Sequence, residues 1–307
     1  MNYIKNKLNN KLQSIIPFLN RRGFLNLLSD ESYHKIMYWS YTGKKLNLNT
    51  PTGFSEKLHW LMINDHNPLY SILVDKYKVR EYVRERIGDK YLVPIIDTYT
   101  SADEIDFNQL PNQFVLKCNH NSGEGMFVCL DKRNINVQIV KKNLDIALKH
   151  NYYYNAREWP YKDVNPLIIC EQYIMGDYAI NEKEVALLDY KFFCFCGEPK
   201  FLYLSLTDKP NPSKLECYDI NFNRSPFQRT NHEGLPNQID KPPMFDEMVE
   251  IAKKLSRDIP FVRVDLYLTN NKIYFSEMTL YPNAGNCYFY PEEWEYKIGE
   301  WLKLYNH

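Results

Sequence analysis

The residues best suited to chemistry lie between Phe261 and Asn286, in FVRVDLYLTNNKIYFSEMTLYPNAGN. Aromatic and β-branched residues on both sides of Asn270-Asn271 predict two strands joined by a tight turn. Alternate side chains of a strand share a face, so Arg263, Asp265 and Tyr267 project together, as do Phe275, Glu277 and Thr279. A three-residue loop at 270–272 sets Asp265 opposite Glu277, whereas a two-residue loop sets it opposite Ser276 and turns Glu277 away. Both faces carry apolar residues, so the hydrophobic pattern leaves the two registers open. Facing carboxylates repel unless a cation lies between them, and hard oxygen donors favour magnesium. The alternative is a surface strand pair with ordinary charges.

Lysines add a second theme. Lys117 ends the apolar strand QFVLKC (113–118), and Asn119-His120-Asn121-Ser122-Gly123-Glu124-Gly125 follows before the strand MFVCL. A small glycine-containing loop lets backbone approach an anion while the ammonium supplies charge, so this is a workable phosphate clamp. Neither the P-loop spacing nor G-x-G-x-x-G occurs, and a plain β-turn is the other reading. Lys191 interrupts the apolar run YKFFCF, where a lysine either snorkels or meets an anion. The segment NYYYNAREWPYKD (151–163) sets Arg157-Glu158 among aromatics that either line a substrate cleft or fill a core.

Composition bounds what these residues can serve. Lys+Arg and Asp+Glu are both 38 in 307 residues, and zero net charge argues against a nucleic-acid partner. Apolar residues at 44% suit a folded chain of one large or two to three small domains. The cysteines (118, 129, 170, 194, 196, 217, 287) include no C-x-x-C and sit in apolar runs, which predicts free thiols in a reducing compartment. No apolar run is long enough to span a bilayer and no signal peptide is apparent, so a cytoplasmic location is expected.

The elements that must position the site follow from periodicity. Ile4, Leu8, Leu12, Ile15 and Ile16 recur at helical spacing beside Lys5, Lys7, Lys11, Arg21 and Arg22, with no acid in residues 1–22. Such a basic amphipathic helix either packs on its own domain or rests peripherally on the inner face of an anionic membrane. Helices are predicted at 30–42 with Ser29 as N-cap, 54–65, 71–87, 137–150, 244–257 and 292–305. Strands are predicted at 91–97, 113–118, 167–174, 187–197 and 199–206. Residues 207–243, polar and with six prolines, read as a long flap.

The order of EKLHWL, NPLYSILVDKYKVREYV, FVLKCNHNSG, NYYYNAREWPYKD, IICEQYI, DYKFFCFCGEPK and VRVDLYLTNNKIYFSEMT resembles the ATP-grasp superfamily. It resembles most its branch named for teichuronopeptide biosynthesis, found among cell-surface polysaccharide genes. The resemblance spans roughly residues 50–290. It implies an α+β fold with two lobes of mostly antiparallel sheets clasping ATP. The expected divisions are a helical region 1–68, a first lobe 69–170 and a second lobe 171–307 with the metal-binding hairpin.

Roles carry over by position. The resemblance puts Lys76 on the α-phosphate, Lys117 across the α and β phosphates, and Ser122 and Gly123 in the lid over the triphosphate. Glu171, Tyr173 and Ile174 match the adenine hinge, Asp177 the ribose position and Lys191 the lysine at the terminal phosphates. Asp265 and Glu277 match the ligands of one or two magnesium ions, with Thr279 where the superfamily commonly has Asn. Arg263 matches the arginine steadying the transferred phosphoryl. Arg157, Lys162 and Lys209 are candidate carboxylate anchors on charge and placement. The implied reaction is an ATP-dependent carboxylate–amine ligation on a uronic acid or amino acid of a surface polysaccharide. A glycosyltransferase is the rival, although no two aspartates stand two residues apart; a phosphotransferase on the same scaffold is another.

Overall fold

The structure, a computed structural model, describes residues 2–179, 185–206, 214–230, 234–235 and 239–304, with side chains from residue 12 onward. Three helices lead: α1 (Asn2–Arg21), α2 (Asp30–Thr42) and α3 (Phe54–Asn64). Ser29 caps α2 by accepting from the Ser32 N–H at 3.3 Å, and Gly43 ends it in the left-handed region at φ 70°. The far half of α1 is tied down, Gln13 Nε2 donating to the Trp39 carbonyl and Asn20 Nδ2 to that of Asn155. Leu12, Ile15 and Phe18 nevertheless stay 47, 39 and 48% exposed. The side chains of Ile4, Lys5, Lys7, Leu8 and Lys11 lie outside the described residues.

The expected helix over 71–87 is two helices, α4 (Leu69–Val74) and α5 (Val79–Ile87). Asp75 breaks it: Oδ1 accepts from the Tyr77 and Lys78 N–H groups and from Asn119 Nδ2, an alternative to helical bonding. A four-stranded antiparallel sheet follows, β1 (Ile95–Tyr99), β2 (Phe114–Cys118), β3 (Met126–Cys129) and β4 (Ile168–Gln172), in the order β1-β4-β2-β3. The first strand starts later than the predicted 91–97 because Asp89–Tyr91 forms a 3-10 turn and Pro94 has no N–H for a ladder. Helix α6 (Val137–Lys149) packs Val140, Leu144 and Ala147 on Phe114, Leu116 and Cys170. A single turn, α7 (Tyr153–Ala156), precedes β4. The expected division between residues 170 and 171 therefore falls inside β4.

Beyond a two-residue ribbon, β5 (Tyr178–Ala179) with β6 (Val185–Ala186), come β7 (Leu188–Phe195), β8 (Glu198–Leu206), β9 (Leu215–Asp219) and β10 (Gln228–Arg229). Then follow α8 (Phe245–Ser256), β11 (Phe261–Thr269), β12 (Lys272–Thr279), β13 (Phe289–Tyr290) and α9 (Glu293–Trp301). The second sheet runs β12-β11-β7-β8-β9, all antiparallel. The region expected to be only a flap thus contributes a fifth strand, β9, whose short LECYD is masked by its polar, proline-rich flanks. One face of this sheet (Phe192, Leu202, Leu204, Val264, Leu266) is dry and covered by α8 through Phe245, Met248, Ile251 and Leu255. On the other face, Phe193, Phe195, Phe201 and Phe261 pack with Phe54 of α3 and Trp301 of α9 at one end. The remainder of that face is polar.

The hairpin β11–β12 resolves the register in a way neither sequence alternative anticipates. Its loop is the two residues Asn270-Asn271, both left-handed at φ 50° and 54°, as a two-residue hairpin turn demands. Asp265 still faces Glu277, because a bulge absorbs Ser276 between the pairs Leu266–Phe275 and Asp265–Glu277. All seven cysteines are free, and only Cys196 is exposed. Among the described residues no helix is long and apolar enough to cross a membrane.

Candidate active site

Across the polar face of the second sheet, one row reads Glu277, Asp265, Lys191, Tyr203, each residue paired with the next on the neighbouring strand. Asp265, with no exposed surface, accepts from Arg263 Nε at 2.7 Å and Nη2 at 2.6 Å, and from Lys191 Nζ at 2.6 Å. Arg263 Nη2 also reaches Thr279 Oγ1 at 2.9 Å and Glu277 Oε1 at 3.3 Å, while its Nη1 donates to the Tyr203 hydroxyl at 3.1 Å. The structure therefore brings Lys191, Arg263, Asp265, Glu277 and Thr279 together.

Burial and neighbouring charges shift the groups of this cluster in opposite directions. Its depth in the fold pushes the Glu277 carboxyl up, but Lys76, Lys191, Arg263 and Lys117 outweigh that and hold it down at about 2. Burial disfavours a charged Lys191, yet Asp189 and Asp265 raise its pKa well above the ordinary value. Asp189, a partner of Lys191, is itself raised by burial, against the pull of that lysine. A lysine within an apolar strand is thus explained by two carboxylates, one of which sequence reasoning missed. Its signal was present: Asp189 precedes Lys191 by two residues and so shares its face.

Lys117 of β2 and Lys76, between α4 and α5, bring further positive charge to Glu277. Lys117 Nζ lies 2.6 Å from Glu171 Oε2, and Arg80 Nη1 lies 3.6 Å from Glu171 Oε1. Lys76 donates to the Asn121 carbonyl, and burial lowers its pKa. Ser122 and Gly123 form the exposed tip of the β2–β3 loop. The loop is fastened at its base, where Glu124 Oε2 meets His150 Nδ1 at 2.7 Å and Asn121 Nδ2 donates to the Ala147 carbonyl at 3.1 Å. Gly125 at φ 64° admits no side chain: a Cβ would lie 2.6 Å from both Ala147 Cβ and Cys118 Sγ.

Other candidates lie elsewhere. Tyr173 and Ile174 are half-buried just past β4, but Asp177 turns to the hairpin tip, accepting from the Asn270 N–H at 2.7 Å. Arg157 is not at the row. Left-handed at φ 58°, it donates to the carbonyls of Leu25 and Asn26, the Tyr153 hydroxyl and Asp30, fastening the N-terminal region. Lys162 is exposed over the Tyr153 ring, and Lys209 lies outside the described residues. The neighbour of Arg157 is the more telling residue. Glu158 is 5% exposed, and burial, with the charge of Glu277, pushes its carboxyl up to about 8.

The family described as TupA-like ATPgrasp matches residues 56–303. The chain belongs to the TupA-like ATP-grasp family. Membership implies the nucleotide-binding ATP-grasp fold. No curated protein sequence matches the chain. Among solved structures it is similar to the D-alanine–D-alanine ligase of Bacillus anthracis complexed with ATP, at 13% identity and TM-score 0.37, over 68% of this chain and 54% of that one. The D-alanine–D-alanine ligase of Helicobacter pylori gives 14% and 0.40, over 76% and 62%. The ATP-grasp ligase PsnB, complexed with minimal precursor, Mg and ADP, gives 9% and 0.38, over 86% and 66%. The chain thus spans about half to two thirds of the length of these ligases.

For this ATP-grasp chain, the donor set fits magnesium in one respect. Asp265 and Glu277 offer hard carboxylate oxygens side by side, with the Thr279 hydroxyl next to them. Among the described residues no third acidic, histidine or cysteine side chain completes a metal cluster. An ion here would need further oxygens from phosphate or water, which is how magnesium commonly binds with nucleotides.

Proposed function

We propose that the protein activates a substrate carboxylate with ATP as an acylphosphate and couples it to an amine. The observation that carries this reading is the row Glu277–Asp265–Lys191 with Arg263 chelating Asp265, and with Lys117 of β2 and Lys76 from the α4–α5 junction acting on Glu277. In it, Lys76, Lys117 and Lys191 neutralise the triphosphate, and Ser122 and Gly123 close over it. Glu171, Tyr173 and Ile174 border the base, with Asp177 bracing the hinge against the hairpin. Asp265 and Glu277, with Thr279, would hold one or two magnesium ions, which supply charge neutralisation on the β and γ oxygens.

Arg263 steadies the charge on the transferred phosphoryl group. A carboxylate oxygen attacks the γ-phosphorus and the bond to ADP breaks. An amine nitrogen then attacks the acyl carbon, phosphate leaves, and the amine loses a proton. The protein's share is positioning, neutralisation and exclusion of water from the acylphosphate. A uronic acid or amino acid of a surface polysaccharide is the proposed carboxylate. A peripheral contact of residues 1–22 with an anionic membrane belongs to the same proposal, supported by the exposed Leu12, Ile15 and Phe18. Incubation with ATP, magnesium and panels of uronates and amines, followed by mass spectrometry, tests the reaction. Amide with stoichiometric ADP is expected; ADP with a phosphorylated product and no amine requirement would make it a phosphotransferase.

A further inference from the structure

Of the candidate anchors for the substrate carboxylate, Arg157 is committed to the N-terminal region, Lys162 is exposed and Lys209 lies outside the described residues. Another arginine is placed for that carboxylate. Arg229 on β10 is only 7% exposed, and no carboxylate among the described residues pairs with it. Its described polar partner is the Tyr203 hydroxyl, 3.3 Å from Nη1, and its buried Nε has none. The guanidinium lies over the Tyr203 ring, 5.5 Å from the centroid. The same hydroxyl receives Arg263 Nη1 at 3.1 Å, so two guanidinium groups converge on one oxygen.

Their circumstances differ. Arg263 is balanced by Asp265 and Glu277, whereas Arg229 is a buried cation with a second cation beside it and a thiol, Cys287, among its neighbours. Such a group is costly to keep unless an anion reaches it. Order along the row says which anion. The nucleotide lysines Lys76 and Lys117 act on Glu277, at one end, while Tyr203 and Arg229 stand beyond Lys191, at the other. The triphosphate and the second substrate would therefore approach Arg263 from opposite sides.

We infer that Arg229, with the Tyr203 hydroxyl, is the binding site for a carboxylate of the acceptor substrate, held beside Arg263. The planar fork of the guanidinium suits a carboxylate and orients it, which a lone ammonium would not. This rests on the reading of the polar face as the catalytic face. It also names a residue that neither composition nor resemblance singled out.

The test uses the full chain and thermal melting with four probes: glucuronate, glutamate, glucose and inorganic phosphate. Glucuronate or glutamate is expected to raise the wild-type Tm in a saturable way, with no shift from glucose. R229Q should melt no lower than the wild type, because it removes an unbalanced charge, and should lose the carboxylate response while keeping that to ATP. R229K should fold and bind the carboxylate roughly tenfold or more weakly. If R229Q does not fold, R229K decides: an undiminished response would overturn the assignment. So would a wild type indifferent to both carboxylates, or an R229Q that melts much lower yet still responds, as for a structural arginine. A phosphate response equal to that of glucuronate and lost in R229Q would overturn the carboxylate class. Failure of the ligase reading looks different: ATP would then leave the wild-type Tm unchanged whatever the carboxylates do.

Discussion

Lys191 Nζ lies 2.6 Å from Asp265 Oδ2 across adjacent strands, so the most deeply buried carboxylate of the site is already neutralised by a lysine and an arginine. A divalent ion arriving at Asp265 must share it with both. Lys191→Met leaves Asp189 unpaired and Asp265 half-balanced in a buried setting. A loss of about 3 kcal/mol is expected, with turnover abolished. Millimolar magnesium should then restore part of the lost Tm, an effect smaller in the wild type. Equal magnesium shifts in both proteins would show that the ammonium and the ion do not compete.

Lys117 holds Glu171 at 2.6 Å and would exchange that partner for phosphate. Lys117→Met is expected to weaken ATP binding roughly ten- to hundredfold, the worth of a charge-assisted hydrogen bond. Unchanged ATP affinity in a thermal-shift titration would exclude the clamp.

Arg157 and the row part company in a measurable way. Because its guanidinium serves Asp30, Tyr153 and two carbonyls, Arg157→Ala should cost about 3 kcal/mol of stability. KM for the carboxylate should stay as in the wild type. A raised KM with intact stability would return Arg157 to the substrate site.

How much of this was legible differs from element to element. The hairpin announced itself through the aromatic and β-branched runs flanking Asn270-Asn271, and Lys191 through the oddity of a charge in an apolar strand. The pairing of Asp265 with Glu277 did not follow from turn length, because the Ser276 bulge offsets the register by one residue. Bulges leave little trace in composition. Arg157 misled because sequence shows a charge among aromatics but not the left-handed backbone that swings it to α2. Arg229 was invisible for a related reason: its two-residue strand pairs with β13, some sixty residues on, within a stretch that reads as loop.

Glu295 supplies a pH test independent of catalysis. Its carboxyl accepts from the Ser55 N–H at 2.5 Å, and burial raises its pKa from 4.5 to about 7. The folded state therefore holds this proton more tightly than the unfolded chain. Its contribution is full below pH 4.5 and is lost as pH rises towards 7, on the order of 3 kcal/mol in all. Glu295→Gln keeps an acceptor for Ser55 and cannot ionise. Denaturant titrations should show this decline in the wild type and its absence in the variant; parallel curves would refute it.

Asp265 and Glu277 are proposed to act together on magnesium–ATP. ADP release by wild type and Glu277→Gln, at saturating ATP and magnesium and with matched circular dichroism, measures that directly. The expected result is turnover in the wild type and none in the folded variant. Retained turnover in Glu277→Gln would contradict it, since a neutral amide would then suffice where the account requires a metal-binding carboxylate.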